Sequence, residues 1–398
     1  MSYRLGLCSL LMGAVAAPAW SQFVVINEIF FDGPSSDWTQ EYIELRGTPG
    51  YDLTNHYLIF IESEGTSRGT VDAVLNFNLV PMVSRQIGAN GYMMIRHNNS
   101  IFGPSEPGTT ELINTNGLGF GTLASTIGWE DTNTEGQIEN GGWSCFLVVD
   151  ETGLGLPFLL GENLDSARDG IAGLDWSAPG PHYLDIEIAT NTMQAPRLRI
   201  LDSIGVFEPG EGLPTQPAFV YAQINFASNT VEPNFIQAGS TVVVIPLMQH
   251  FASLPSYQLE IEAIARYGNS TGQTSADWVM LNITNNAAAG YTLALRPTQG
   301  YPLSSEPKTF VNVQAGECWW QPAAPNGRIF PFGAIVQANR GAANLPEPPP
   351  MGQMLAQFGK TGVVNTATQL WTWTGDLNAD QAVTSWDLAD YLRRIPNY

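Results

Sequence analysis

Short apolar segments separated by turn residues run through most of the chain. The segments are rich in β-branched and aromatic residues, and clusters of glycine, proline and small polar residues, such as 32–36 and 103–110, lie between them. No long helical period appears before residue 344. Many short strands with such turns are typical of a β-sandwich or barrel, so the chain is predicted to be mainly β. The predicted strands are 23–31, 41–45, 57–61, 91–95, 145–149, 197–201, 240–245 and 278–283.

The first predicted strand should present two different faces. Side chains alternate along an extended strand, so Val25 and Ile29 are expected on one face and Ile26 and Phe30 on the other.

Three glutamates lie on or beside the first two predicted strands. Glu28, Glu41 and Glu44 could form a carboxylate cluster for acid–base chemistry or for a cation, or they could cap turns and face solvent. No base, metal-binding histidine or nucleophile lies nearby in the sequence, which favours the structural alternative.

The pattern changes after residues 344–350, whose sequence NLPEPPP is typical of a stiff polyproline linker. Beyond it, two segments place apolar residues at i, i+3, i+4 and i+7, which predicts two short amphipathic helices that pack on each other. These residues are Met351, Met354, Leu355 and Phe358 in the first segment, and Leu388, Tyr391, Leu392 and Ile395 in the second.

A twelve-residue loop at 376–387 precedes the second of these helices. Oxygen-bearing side chains occupy its positions 1, 3, 5, 9 and 12, and position 7 would offer a backbone carbonyl; these residues are Asp376, Asn378, Asp380, Thr384, Asp387 and, at position 7, Ala382. Ca²⁺ prefers six to eight oxygen ligands, so the spacing predicts a calcium site. Gln381 stands at position 6, where glycine is usual, and this should weaken binding. A polar turn that binds nothing is the alternative.

The composition narrows the classes of partner. Lys plus Arg number 16 and Asp plus Glu number 37, which gives a net charge of −21. An acidic chain with so few cations is not expected to bind nucleic acid or anionic membranes. The 44% of hydrophobic residues suffices for a large core and argues against disorder.

Residues 1–21 are predicted to be a signal peptide. Arg4 precedes an apolar stretch at 5–17 that is too short to span a bilayer, and 19–21 provides a cleavage site. An uncleaved anchor is the alternative. The mature chain is therefore expected to be extracellular or at the cell surface, with no transmembrane segment after cleavage. It retains Cys145 and Cys318, which form either a disulfide or two separate thiols.

Signals for catalysis are weak. Residues 268–272 read GNSTG, but the strand and helix that a nucleophile elbow requires are not indicated around them. The four histidines are widely separated, and an acidic turn at 165–170 has incomplete spacing for a cation. We therefore predict no catalytic and no cofactor-binding residue other than the calcium ligands. The aromatic pairs 319–320 and 371/373 could stack on sugar rings or belong to the core.

The first strands resemble the start of a lamin-tail domain. The similar segments are VVINEI at 24–29, EYIEL at 41–45, DLTNHYLIF at 52–60, IGANGY at 87–92 and, more weakly, LDSIGV at 201–206. The resemblance implies an immunoglobulin-like β-sandwich for residues 22–210. Residues 211–343 would then be a β-rich extension or a second β domain.

The C-terminal region resembles a type I dockerin. Residues 375–388 match one loop–helix repeat, and 351–362 resemble the helix of the other repeat, whose calcium loop is missing. Dockerins bind cohesins and tether extracellular enzymes, so a cohesin-like partner is implied for residues 351–398. A calcium-stabilised cap or surface-retention tag is an equal alternative.

These observations predict a mainly β protein with a small C-terminal α-helical calcium module. The expected function is that of a secreted, non-catalytic binding, adhesion or cell-surface protein. The alternative is a carbohydrate-active component, polysaccharide-degrading or sugar-binding, that is tethered through the dockerin-like module.

Overall fold

The computed structural model describes residues 22–31, 41–100, 105, 107–116, 125–132, 138–139, 142–184, 197–207, 217–228, 233–245, 263–266, 271–274, 277–282, 317–322 and 336–337. Within these ranges the protein is mainly β, as the sequence predicts, with eighteen strands and two short 3-10 helices at Phe77–Leu79 and Met82–Ser84. None of the described helices is long and apolar enough to cross a membrane. The predicted signal peptide, the 344–350 linker and residues 351–398 lie outside the described residues.

The strands, in chain order, are β1 (Val24–Phe30), β2 (Tyr42–Gly47), β3 (His56–Glu62), β4 (Val71–Asn76), β5 (Tyr92–His97), β6 (Thr110–Asn114), β7 (Trp129–Asp131), β8 (Trp143–Asp150), β9 (Tyr183–Leu184), β10 (Leu198–Phe207), β11 (Phe219–Val220), β12 (Ile224–Ser228), β13 (Phe235–Ile236), β14 (Thr241–Ile245), β15 (Ala263–Arg266), β16 (Trp278–Asn282), β17 (Glu317–Pro322) and β18 (Val336–Gln337).

Two large sheets contain most of these strands. The first has the order β18-β17-β16-β15-β1-β2-β5-β6, and the second has the order β14-β12-β10-β8-β3-β4-β7, with β9 added beside β10. β11 and β13 form a separate pair. Strands on either side of residue 210 pair within both sheets, since β15 pairs with β1 and β12 pairs with β10. Each of the two large sheets therefore contains strands from both sides of residue 210.

The main hydrophobic core lies between the two sheets. It takes Ile43 and Ile95 from the first sheet and Leu58, Leu147 and other residues from the second. Alternate residues of the second sheet, such as Ile59, point to its opposite face, where the segment at 156–176 packs on them in a second cluster. The second sheet is thus buried on both faces, which explains why β3 and β8 are nearly continuous apolar sequences.

A β-bulge in β1 changes which side chains face the core. Ile26 lies opposite Leu45 and Glu28 lies opposite Glu44, so Asn27 is an extra residue in β1. As a result Ile26 and Ile29 both belong to the core between the sheets. The predicted alternation, which placed these two on opposite faces, is wrong because one inserted residue reverses the faces from that point on.

Candidate functional site

The predicted calcium ligands cannot be placed by this structure. Asp376, Asn378, Asp380, Ala382, Thr384 and Asp387 all lie outside the described residues. The calcium site therefore stays a prediction.

Within the described residues, three carboxylates meet at one end of the β3–β4 hairpin. Glu62 ends β3, Asp72 lies near the start of β4, and Glu139 precedes β8. One carboxylate oxygen of each lies within 4.8 Å of those of the other two. We call Glu62, Asp72 and Glu139 the acidic cluster.

The local strand pairing brings two members of the acidic cluster together. Phe60 lies opposite Ala73 and Ile61 lies opposite Val71, so Asp72 is an extra residue at a bulge. Asp72 is buried, and its carboxylate accepts a hydrogen bond from the hydroxyl of Thr132.

Further contacts of the acidic cluster come from the backbone after β3. The carboxylate of Glu62 accepts a hydrogen bond from the backbone N–H of Glu64 at 3.1 Å. The side chain of Glu64 in turn accepts from the backbone N–H of Gly142, immediately before β8. These bonds hold the β3 end, the following turn and the β8 start against one another.

Burial and like charges disfavour ionisation in the acidic cluster. Burial raises the pKa of Glu62 to about 8, and the negative charges of Glu139, Asp72 and Glu64 act in the same direction. Burial also raises the pKa of Asp72, against the hydrogen bond from Thr132. Such a group of oxygens can hold either a proton or a cation, since both relieve the same repulsion.

The acidic cluster is not predicted from the sequence. Glu62 and Asp72 are separated by a short turn-rich segment, so a hairpin pairing of the two strands would have placed them near each other. Nothing in the sequence indicates that Glu139 joins them.

The glutamates singled out from the sequence have a structural role. Glu28, Glu41 and Glu44 are all buried, so the alternative that they face solvent is wrong. Each accepts a hydrogen bond from a different donor. The Tyr42 hydroxyl donates to Glu28, the Asn27 amide to Glu44 at 2.6 Å, and the Ile138 N–H to Glu41 at 2.8 Å.

A buried ion pair joins the two sheets. Nη2 of Arg266, on β15, lies 2.7 Å from each carboxylate oxygen of Asp202, on β10, and neither side chain is exposed. A bulge in β10 places Asp202 there, because Ile200 lies opposite Val148 and Asp202 lies opposite Leu147. Residues of β10 before the bulge face the second cluster, on the far side of the second sheet, and residues after the bulge face the core between the sheets.

Further hydrogen bonds surround this ion pair. Asp202 also accepts from the N–H of Ile26 at 2.8 Å, from the N–H of Ser203 at 2.9 Å and from the amide of Gln273 at 2.5 Å. Nε of Arg266 donates to the carbonyl of Ile26 at 2.7 Å, and Nη1 donates to the carbonyl of Gly272. The ion pair therefore satisfies both backbone groups of Ile26 beside the β1 bulge.

The guanidinium of Arg266 also contacts an aromatic ring. It lies 4.2 Å from the centroid of the buried Trp278 ring, on β16. Two strands of the first sheet, β15 and β16, thus share the ion pair with β10 of the second.

Other candidate residues from the sequence are structural where the structure describes them. The buried carboxylate of Asp165 accepts from the N–H groups of Asp169 and Gly170 and from the Tyr221 hydroxyl, each at 2.9 Å, so its oxygens hold the 165–170 turn. Cys145 is a buried free thiol, and burial raises its pKa.

The remaining candidates lie outside the described residues or in β17. The serine of the GNSTG segment lies outside the described residues, as does the 371/373 aromatic pair. Trp319 and Trp320 belong to β17.

Comparisons of the chain with protein-family models, with curated proteins and with solved structures found no match. The resemblances to lamin-tail and dockerin domains therefore stay predictions from the quoted motifs.

Proposed function

We propose that this chain is a secreted, non-catalytic binding or adhesion protein whose C-terminal module is stabilised by calcium. One observation carries the proposal, namely the alternating oxygen-bearing residues from Asp376 to Asp387. Six oxygens from such a loop meet the coordination that Ca²⁺ requires, and their spacing is that of a single dockerin repeat. The proposed partner is a cohesin-like protein or an extracellular polysaccharide.

The described part of the chain supports a scaffold role. Two sheets share one core, and the buried glutamates and the Asp202–Arg266 pair are engaged in hydrogen bonds between strands. A lamin-tail-like, immunoglobulin-like fold for residues 22–210 is part of the proposal, and the two-sheet core supports it.

Calcium titration of the full chain by calorimetry tests the proposal. We expect saturable binding of about one ion per chain, lost when Asp376→Ala and Asp380→Ala are combined. Asp169→Asn, an exposed acid in another turn, is the matched control and should leave binding unchanged. Glu62→Gln should also leave it unchanged, which separates the loop from the acidic cluster.

A gain-of-function variant sharpens the test. Gln381→Gly restores the residue that suits the sharp turn and should tighten calcium binding by about tenfold. If the native chain does not bind calcium at millimolar concentration, or if the Asp376/Asp380 variant binds as the native chain does, the calcium module and the cohesin-like partner are both refuted.

A carbohydrate-active component is the second proposal. A glycoside hydrolase needs a protonated acid near a carboxylate, and the raised pKa of Glu62 beside Asp72 and Glu139 meets the first requirement. The carboxyl groups of retaining enzymes are about 5–5.5 Å apart and those of inverting enzymes are farther apart. The oxygens of the acidic cluster lie within 4.8 Å of one another, which is shorter than the separation in inverting enzymes and near that in retaining ones. A retaining enzyme also needs an ionised carboxylate as nucleophile, and burial raises the pKa of Asp72 as well, so this proposal ranks second.

A further inference from the structure

The loop at residues 77–84 presents apolar side chains to solvent. Among the described residues, seven large apolar side chains are exposed, and Leu79, Met82 and Val83 of this loop are three of them. Their exposed fractions are 59%, 62% and 81%. A single exposed apolar residue is ordinary, whereas a group of them indicates an interaction surface.

The loop is anchored to the rest of the protein by buried side chains and hydrogen bonds. Phe77 and Val80, which alternate with the exposed residues, are fully buried in the core between the sheets. The amide of Asn78 donates to the Tyr57 hydroxyl at 3.0 Å, and its oxygen accepts from the N–H of Asn55 at 2.8 Å. These contacts fix the loop in a conformation that exposes Leu79, Met82 and Val83 to solvent.

A neighbouring loop adds a fourth exposed side chain at the same end of the second sheet. The N–H of Asp150 donates to the carbonyl of Asn55 at 2.8 Å, and a Cβ on Gly153 would lie 3.4 Å from the Asn55 amide nitrogen. Leu154, which follows, is 60% exposed. We call Leu79, Met82, Val83 and Leu154 the apolar tip.

The charge around the apolar tip favours an electrically neutral partner. Residues 76–84 contain no charged side chain, and Arg85 at the base of the loop is paired with Asp52 at 3.0 Å. This loop can therefore enter an apolar medium without burying a charge. In the Leu154 loop, the exposed Glu151 is paired with Arg199 at 2.6 Å. The net charge of −21 repels anionic surfaces and also a second copy of the chain.

The size of the apolar tip argues in the same direction. A stable protein interface buries about 1,000 Å² or more with complementary shape, and four side chains on two loops offer much less. A fluid lipid surface needs no complementary shape, since its acyl chains close around whatever apolar group enters.

We propose that the apolar tip docks the protein on the surface of a zwitterionic lipid bilayer, with its four side chains entering the boundary between head groups and acyl chains. The proposal concerns the two-sheet part of the chain and does not depend on the calcium loop.

Flotation of the full chain with phosphatidylcholine vesicles, with and without calcium, tests the proposal. The native chain should float with the vesicles, and the combined Met82→Ser and Val83→Ser variant should bind about tenfold more weakly. Both side chains are exposed, so the variant should keep the native circular dichroism spectrum and unfolding midpoint.

A matched control uses an exposed leucine elsewhere. Leu159 is 77% exposed, and its loop bonds to the start of β4, whereas the apolar tip follows the end of β4. Leu159→Ser should bind vesicles as the native chain does. Val83→Trp should bind more tightly and shift its added fluorescence to the blue when vesicles are present, because tryptophan favours the lipid interface.

Three results would overturn the proposal. They are a native chain that does not float, a Met82/Val83 variant that floats as well as the native chain, and tighter binding when phosphatidylglycerol is added to the vesicles. In the first case the apolar tip would belong to a protein interface instead.

Discussion

Asp202 and the acidic cluster are both buried carboxylates next to β-bulges, yet their surroundings are opposite. Asp202 faces the guanidinium of Arg266 and accepts three further hydrogen bonds. Glu62 faces two other carboxylates, and among the described residues its side chain accepts a hydrogen bond from the Glu64 N–H alone. The first arrangement fixes a charge in one place, and the second leaves a group whose protonation follows the pH.

The comparison shows what a bulge contributes. A bulge reverses the faces of a strand and so can bring a charged side chain to an interior position. Whether that residue becomes a fixed structural contact or a titratable group depends on what the opposing strands supply. Strands β15 and β16 supply a cation and an aromatic ring to Asp202, whereas β3 supplies another acid to Asp72.

The largest expected effect comes from removing one member of the ion pair. Asp202→Ala leaves Arg266 buried without a counter-charge and should lower the free energy of unfolding by about 3–5 kcal/mol. Urea unfolding followed by circular dichroism measures the change.

A double variant serves as the control for Asp202→Ala. Asp202→Leu combined with Arg266→Met removes both charges and should recover most of the loss, because apolar residues of similar volume tolerate the site. If the single variant does not fold and the double variant does, the unpaired charge is likewise shown to be the cause of the loss. Equal losses in both would show that packing, and not the unpaired charge, sets the cost.

The acidic cluster should make stability depend on pH. The folded chain keeps the Glu62 proton up to about pH 8, whereas an unfolded glutamate loses it near 4.5, so the folded state binds more protons within this window. The free energy of unfolding should therefore fall as the pH rises from 4.5 to about 8. Glu62→Gln should remove this slope and raise stability at the upper end by about 2–3 kcal/mol, less than the full shift because Asp72 and Glu139 readjust.

Unfolding curves across that window measure the slope. Glu130→Gln, an exposed position on β7, is the control and should keep the native slope. A slope that persists in Glu62→Gln would remove the acidic cluster as its source.

The smallest effects come from the neutral donors that serve the two groups. Gln273→Ala and Thr132→Val each remove one hydrogen bond to a carboxylate, and each should cost about 1 kcal/mol. Only Thr132→Val should raise the pKa of Asp72 further, since the hydroxyl lowers that pKa. An NMR titration of the Asp72 carboxyl carbon measures the shift, and an unchanged Asp72 pKa would contradict the assigned role of Thr132.

Much of the strand content could be predicted from the sequence. Each of the eight predicted strands overlaps an observed one, because their apolar and β-branched residues fit a buried sheet. Ten of the eighteen observed strands were not predicted, and β4 and β15 are two of them. Val71–Asn76 contains an aspartate, and Ala263–Arg266 is four residues long with two alanines, so neither has strong local strand propensity. These two segments form strands because they pair with neighbouring strands.

The site residues were harder to predict for a related reason. The Asp202–Arg266 pair joins residues 64 positions apart, and the bulges that orient Asp202 and Asp72 leave no mark on an alternating pattern. Glu28 and Glu44 were recognised as notable, but their burial depends on the bulge after Ile26.

The pairing of β1 with β15 has a consequence for how the chain is made. Glu28 lies opposite Ala265. One edge of β1 therefore stays unpaired until the ribosome has added more than two hundred further residues and β15 has been synthesised. During that interval β1 offers unpaired backbone groups to any extended segment, in the same chain or in a neighbouring nascent chain. We therefore expect the yield of correctly folded molecules to rise when a chaperone shields β1 until β15 emerges.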